Sequence, residues 1–216
     1  MAVAKAIGVE RRTRGTAAET RERIVDAAAE VMETIGLASA TTKRIASAAG
    51  YSEATLYKHF DSKIELFLAV LDERLPGLVG LLTRLPEQAG EGVVAEHLEE
   101  VVIQATRFYE RVFPMLASIF AEPAVLARYR ESLAAVGAGP HQANEALAAY
   151  LRAERRLGRI DATIDPEAGA AMLLGACIQR AFFGALSGTP ISAAERSQFA
   201  ANLVTSLLGS RRKSDP

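Results

Sequence analysis

The chain is poor in the residues that anchor covalent or metal-based architectures. It has one cysteine, Cys177, in 216 residues, which excludes an internal disulfide and a metal site built on cysteines. Of its three histidines, His97 and His141 have no partner at ligand spacing, so no metal is expected. A nucleophile paired with a base, a phosphate-binding glycine loop and a carboxylate–histidine set are all missing. These absences argue against an enzyme and against a bound cofactor. Charge of one sign is also lacking. Lys and Arg total 25 against 26 Asp and Glu, a net charge of −1, which speaks against a uniformly basic surface. Long hydrophobic runs are absent too. The best candidate, 168–186, contains Arg180 and several glycines, so no membrane span is expected. Met1 to Gly8 is short and leads into Glu10-Arg11-Arg12, unlike a signal peptide, and a soluble cytoplasmic protein is expected.

Half of the residues are hydrophobic, enough for a large core. Sustained alternation of apolar and polar residues is not seen, so the expected class is all-α. Helix signals recur along the whole chain. Thr16-Ala-Ala-Glu19 is a capping box, and Ile24, Ala28, Val31, Met32 and Ile35 follow at helical spacing up to Gly36. Short helices are expected over 42–49 and 53–60, separated by Gly50. Ser62-Lys-Ile-Glu65 is a further capping box, opening a helix to about residue 83. Later helices are expected over 92–112, where Pro114 is read as a stop, then 115–121, 124–136 and 141–157. Residues 137–140 read as a loop. Asp165-Pro166-Glu167 starts a helix to about 186, and Ser192-Ala-Ala-Glu195 caps the last one, to about 208.

The segment 41–60 carries the functional signal. Two short helices joined through a glycine turn form a helix-turn-helix. Ile45, Ala46, Ala49, Leu56 and Phe60 supply its buried face. Its second helix exposes Glu53, Ala54, Thr55, Lys58 and His59, and such a helix directs its N-terminal residues at base edges in the major groove. Ala54 offers an apolar contact, and Thr55 a hydrogen bond or a contact to a thymine methyl. Glu53 has an acceptor for a cytosine amino group but carries a charge unwelcome beside phosphates. Tyr57, His59 and Lys63 are donors suited to phosphates, and Thr42 sits at a helix N-terminus where anions bind. Basic charge collects nearby. Lys43, Arg44, Lys58 and Lys63 lie within 39–63, and Lys5, Arg11, Arg12 and Arg14 lie in the first residues.

The run from Thr41-Thr42-Lys43 through Ser52-Glu-Ala-Thr55-Leu56-Tyr57-Lys58-His59-Phe60 to Lys63 resembles the DNA-binding signature of the TetR family of regulators, and the likeness covers about 17–72. The resemblance implies a three-helix DNA-binding domain and a larger helical domain for ligand binding and dimerisation. It puts Lys43, Ala54 and Thr55 at base-reading positions, and Thr42, Tyr57, His59 and Lys63 at phosphate contacts. Ala54 replaces the commoner Gly or Pro. Tyr51 stands where Val or Ile is usual, and it either adds a backbone contact or packs against the first helix. The expected layout is a basic arm 1–16, a DNA-binding domain 17–62, a ligand-binding and dimerisation domain 63–209 and a disordered tail 210–216.

Beyond about residue 72 only architecture guides the reading. Phe108, Val112, Met115, Phe120, Tyr129, Met172 and Phe183 are either core residues or the lining of an apolar effector cavity, with Gln104, Arg107, Tyr109 and Gln179 as polar anchors. Cys177 reads as a small core residue. Ala171, Leu174, Gly175, Ile178, Phe182 and Leu186 on one helix, with Phe199, Leu203 and Leu207 on the next, suit an isologous four-helix dimer interface. The expected function is a ligand-responsive homodimeric repressor that binds a palindromic double-stranded operator and is released by a small-molecule effector. Two alternatives stand beside it: a constitutive DNA-binding regulator, and a small helical binding protein with a vestigial DNA-binding motif.

Overall fold

The structure is a computed structural model, described here for residues 16–74, 76–121, 123–135, 141–189 and 191–209. The expected arm, the 137–140 loop and the charged tail lie outside the described residues, apart from Thr16. All regular elements among the described residues are helical. They are α1 Ala17–Ser39, α2 Thr42–Ala49, α3 Glu53–Leu56, α4 Lys63–Arg74, α5 Pro76–Arg84, α6 Val94–Phe120, α7 Pro123–Ala135, α8 His141–Arg156, α9 Pro166–Ser187 and α10 Ala193–Leu208. A 3-10 turn, Leu85–Gln88, sits where Leu85-Pro86 marks a break.

Local chemistry sets most helix starts. Thr16 and Glu19 close the expected capping box on α1, and Ser192 and Glu195 do the same on α10. Thr41, Ser52 and Asp165 each accept a backbone N–H at the start of α2, α3 and α9. Gly36 leaves helical geometry at φ 76°, so the long stretch of α1 ends where glycine was expected to end it, and one further turn carries the chain to Ser39.

Two cores form. The first gathers Ile24, Val25, Ala28 and Met32 of α1, Ile45 and Ala46 of α2, Leu56 of α3, Phe60, and Ile64, Leu66, Phe67 and Val70 of α4. It therefore extends past residue 62. It also takes in Met115 and Ile119, both fully buried, from α6. The second core joins α5, α6, α8, α9 and α10 around Leu98, Val102, Leu147, Tyr150, Leu151, Leu173 and Cys177.

α6 departs from the expected stop at Pro114. It runs unbroken through that proline to Phe120. An interior proline costs a helix about 3 kcal/mol, by deleting one hydrogen bond and crowding the preceding turn. Burying Met115 and Ile119 in the first core returns about 1.5–3 kcal/mol each, which is enough to offset it. α9 forms over the span expected for it. Its glycines and Arg180 do not interrupt it, and, against the expectation of no candidate membrane span, by length and composition it is apolar enough to cross a membrane. One of its faces is committed to the second core through Ala170, Leu173, Leu174 and Cys177, and Ala181 is buried on the same helix.

Candidate nucleic-acid interface

α2 and α3 are joined by a three-residue turn in which Gly50 takes φ 78°, ψ 26°. This left-handed geometry lets its N–H reach the carbonyls of Ala46 and Ser47 and close α2. A side chain there would be strained, and its Cβ would lie 3.5 Å from the Arg23 guanidinium. Arg23 secures the turn from α1. It donates to the Ala49 carbonyl at 3.2 Å and to the Tyr51 hydroxyl at 3.3 Å, with its guanidinium 5.1 Å from the Tyr51 ring centre. Tyr51 thus packs toward α1, the second of the two roles open to it. Nothing local in the sequence marks Arg23, because its partners are more than twenty residues away.

The side chains expected to meet DNA fall into three groups. In the first, the Thr42 hydroxyl donates to the Glu53 carboxylate at 2.5 Å and lies 3.4 Å from the Tyr57 hydroxyl. One hydrogen-bonded cluster therefore ties the start of α2 to both ends of α3. Thr41, not Thr42, is the residue that caps α2, accepting from the Arg44 N–H at 3.2 Å. In the second, Ser52 caps α3 through the Thr55 N–H at 3.2 Å, and the two hydroxyls lie 2.9 Å apart. Lys43, Ala54, Tyr57 and Lys58 are exposed beside these groups, while Thr55 and His59 are half-buried. α3 itself is a single turn, shorter than the expected 53–60, and continues to Phe60 as turns held by the carbonyls of Thr55 and Leu56. In the third, Lys63 points its ammonium at the carbonyls of Leu37 and Ala38, at 2.8 and 3.1 Å. It neutralises the exposed carbonyl end of α1.

Comparison with known proteins matches this geometry. Residues 24–70 fit the family of bacterial regulatory proteins of the TetR type, and residues 115–210 fit the C-terminal domain of AefR-like transcriptional repressors. The chain belongs to the TetR family. One relative is the transcriptional regulator SrpR of Pseudomonas putida, 45% identical over 64 residues, which is 30% of each chain. The match thus spans about a third of that relative's length. Two solved structures share the fold. FadR of Bacillus subtilis, in complex with stearoyl-CoA, has a TM-score of 0.63 at 17% identity, covering 87% of this chain and 97% of FadR. SmeT, the repressor of the Stenotrophomonas maltophilia multidrug efflux pump SmeDEF, has a TM-score of 0.62 at 19% identity, covering 91% and 97%.

Within this TetR-family chain the residues named as an effector cavity do not share one environment. Val112 is buried, and Phe108 and Tyr109 are half-buried against the second core, edge to face at 5.4 Å. Burial raises the Tyr109 phenol to about 12. Met115 belongs to the first core, and Tyr129 packs on it with its ring 6.1 Å from Phe67. Arg107, Phe120, Met172, Gln179 and Phe183 are exposed, and Gln104 donates to Glu100 at 2.6 Å. The reason is helix phase: α6 continues past Pro114 alongside α1, and α9 turns Met172, Gln179 and Phe183 away from the core.

The residues named for dimerisation divide more cleanly. Ala171, Gly175, Ile178, Phe182 and Leu186 form an exposed stripe on α9, which Met172 extends. Leu174 is only 1% exposed and faces its own core, one helical step off the stripe. Phe199, Leu203 and Leu207 of α10 pack partly on that core as well. Cys177 is buried and donates to the Leu173 carbonyl at 3.1 Å, while burial pushes its thiol up to about 11. That environment suits packing and opposes thiolate chemistry.

Proposed function

We propose that this chain is a ligand-responsive transcriptional repressor that works in the cytoplasm as a homodimer on a palindromic operator. The observation that carries the reading is the α2–α3 unit. Its Thr42–Glu53–Tyr57 cluster orders a surface on which Lys43, Ala54 and Lys58, each next to a member of the cluster, stand exposed. Lys43, Ala54 and Thr55 are then the base-reading residues, Tyr57 and His59 hold phosphates, and Thr42, whose hydroxyl donates to Glu53, offers a phosphate its backbone N–H at the start of α2. Glu53 orients Thr42 and is relieved of any base contact.

A single-turn α3 reads few base pairs. Two copies set about 34–36 Å apart, one turn of B-DNA, multiply that reading. The exposed apolar stripe of α9 is the surface that brings the second copy. Repression is supported by the likeness to SmeT, and an apolar or amphiphilic effector by the likeness to a FadR that holds stearoyl-CoA. Such an effector need favour the non-binding arrangement by only a few kcal/mol to empty the operator.

Selection from a random duplex library with the purified chain tests the reading. The expected product is a pseudo-palindrome with half-sites one helical turn, or a multiple of it, apart. Recovery of no common sequence would sink it.

A further inference from the structure

α6 is the element that passes from the second core into the first. Its Met115 and Ile119 hold it against α1 by apolar burial, which is strong but does not specify an angle. One turn before Met115, Arg111 supplies direction. Its Nε donates to the Glu33 carboxylate of α1 at 2.9 Å, and a terminal nitrogen binds the same oxygen. Its other terminal nitrogen donates to the Arg74 carbonyl at the end of α4, at 3.0 Å. One planar guanidinium thus bridges three helices, and its fixed fork geometry constrains their mutual orientation.

The contacts continue toward the DNA-facing end. Arg74 donates to Asp26 of α1 at 2.6 Å and to the Glu22 carbonyl at 3.3 Å. Its neighbour Glu73 pairs with Arg21 at 2.6 Å, and the Arg21 guanidinium lies 5.1 Å from the centre of the Phe60 ring, just beyond the recognition helix. α1, α4 and the helix-turn-helix are therefore tied to one another, and Arg111 adds α6 to that set.

We propose that Arg111 is a positioning residue that locks α1 and α4 at one angle to α6 and so sets the attitude in which each subunit presents α3. Its consequence for the operator rests on the DNA-binding reading above, but its effect on domain orientation does not. The competing description is an ordinary surface ion pair. Arg111 and Glu33 are 45% and 36% exposed, and many such pairs contribute nothing measurable.

Spin labels at Ser47→Cys on α2 and Glu145→Cys on α8 report the angle, because both positions are exposed and Cys177 is buried. Labelled full-length chain is diluted with unlabelled chain, so that distances within one subunit dominate. The wild type is expected to give one narrow distance. Arg111→Gln and Glu33→Gln should each broaden it or add a second population, and the double variant should go no further. Arg111→Lys should fall between, since an ammonium lacks the planar fork that fits both partners at once. An unchanged distribution in Arg111→Gln would overturn the proposal, and so would effects of the two glutamines that simply add. Operator affinity of Arg111→Gln should drop about tenfold, within the range usual for coupled sites. A changed distance with unchanged operator affinity would leave the clamp standing and refute its link to DNA binding.

Discussion

Lys63 and Arg23 are basic side chains placed where either a phosphate or the protein's own carbonyls could claim them. Both are claimed by carbonyls, Lys63 by Leu37 and Ala38, and Arg23 by Ala49. Lys63→Met is therefore expected to cost about 1.5–3 kcal/mol of folding stability, as for a lost hydrogen bond to a charged donor. The slope of log operator affinity against log salt should stay as it is, whereas a lost phosphate contact would lower it by about one. Urea denaturation and a salt titration of the same variant separate the two roles. Cys177 offers a second test at this scale. Its folded pKa, about 11, lies above the ordinary 9.0, so folding favours the neutral thiol. The stabilisation is complete below pH 9.0 and is lost as pH climbs toward 11. The urea midpoint should fall across that window, with Tyr109 adding to the fall over pH 10 to 12, and Cys177→Ala should flatten the part that begins at pH 9.0.

At the scale of elements, interactions spanning three or four residues could be read directly, and those spanning fifty could not. Thr16, Ser52, Asp165 and Ser192 cap where local hydrogen-bond chemistry says they should. Pro114 misleads because its local cost is overcome by burial of Met115 and Ile119 against a helix some eighty residues away. The helix-turn-helix was legible because its donors, glycine turn and apolar face lie within one short window. The facing of α6 and α9 was not, because which side of either helix turns inward depends on partners distant in sequence. α9 shows both sides of this: its apolar face was legible in composition, but the step between Leu174, buried, and Gly175, exposed, required the packing. Gly175 also gives a prediction. An added Cβ there meets nothing within 4 Å in the single chain. Gly175→Leu should leave the fold intact yet weaken self-association by holding the two copies of α9 apart. Ile178→Asp should leave a monomer in sedimentation velocity, since an unpaired carboxylate would be buried in the interface.

For the whole molecule, the proposed function needs both a reading surface of one helical turn and an apolar stripe that brings a second copy. A monomeric Ile178→Asp chain should bind a full operator far more weakly than the wild type while keeping a comparable salt slope per subunit. Sequence reading by α3 is tested by fluorescence anisotropy of the selected duplex with the wild type and with Thr55→Ala/Tyr57→Ala, over a range of salt. Both side chains are at least partly exposed, so the double variant should fold. The wild type is expected to prefer this duplex over a scrambled one, with affinity falling steeply as salt rises, and the variant to lose both the preference and part of the slope. Unchanged preference in the variant would contradict sequence reading by α3.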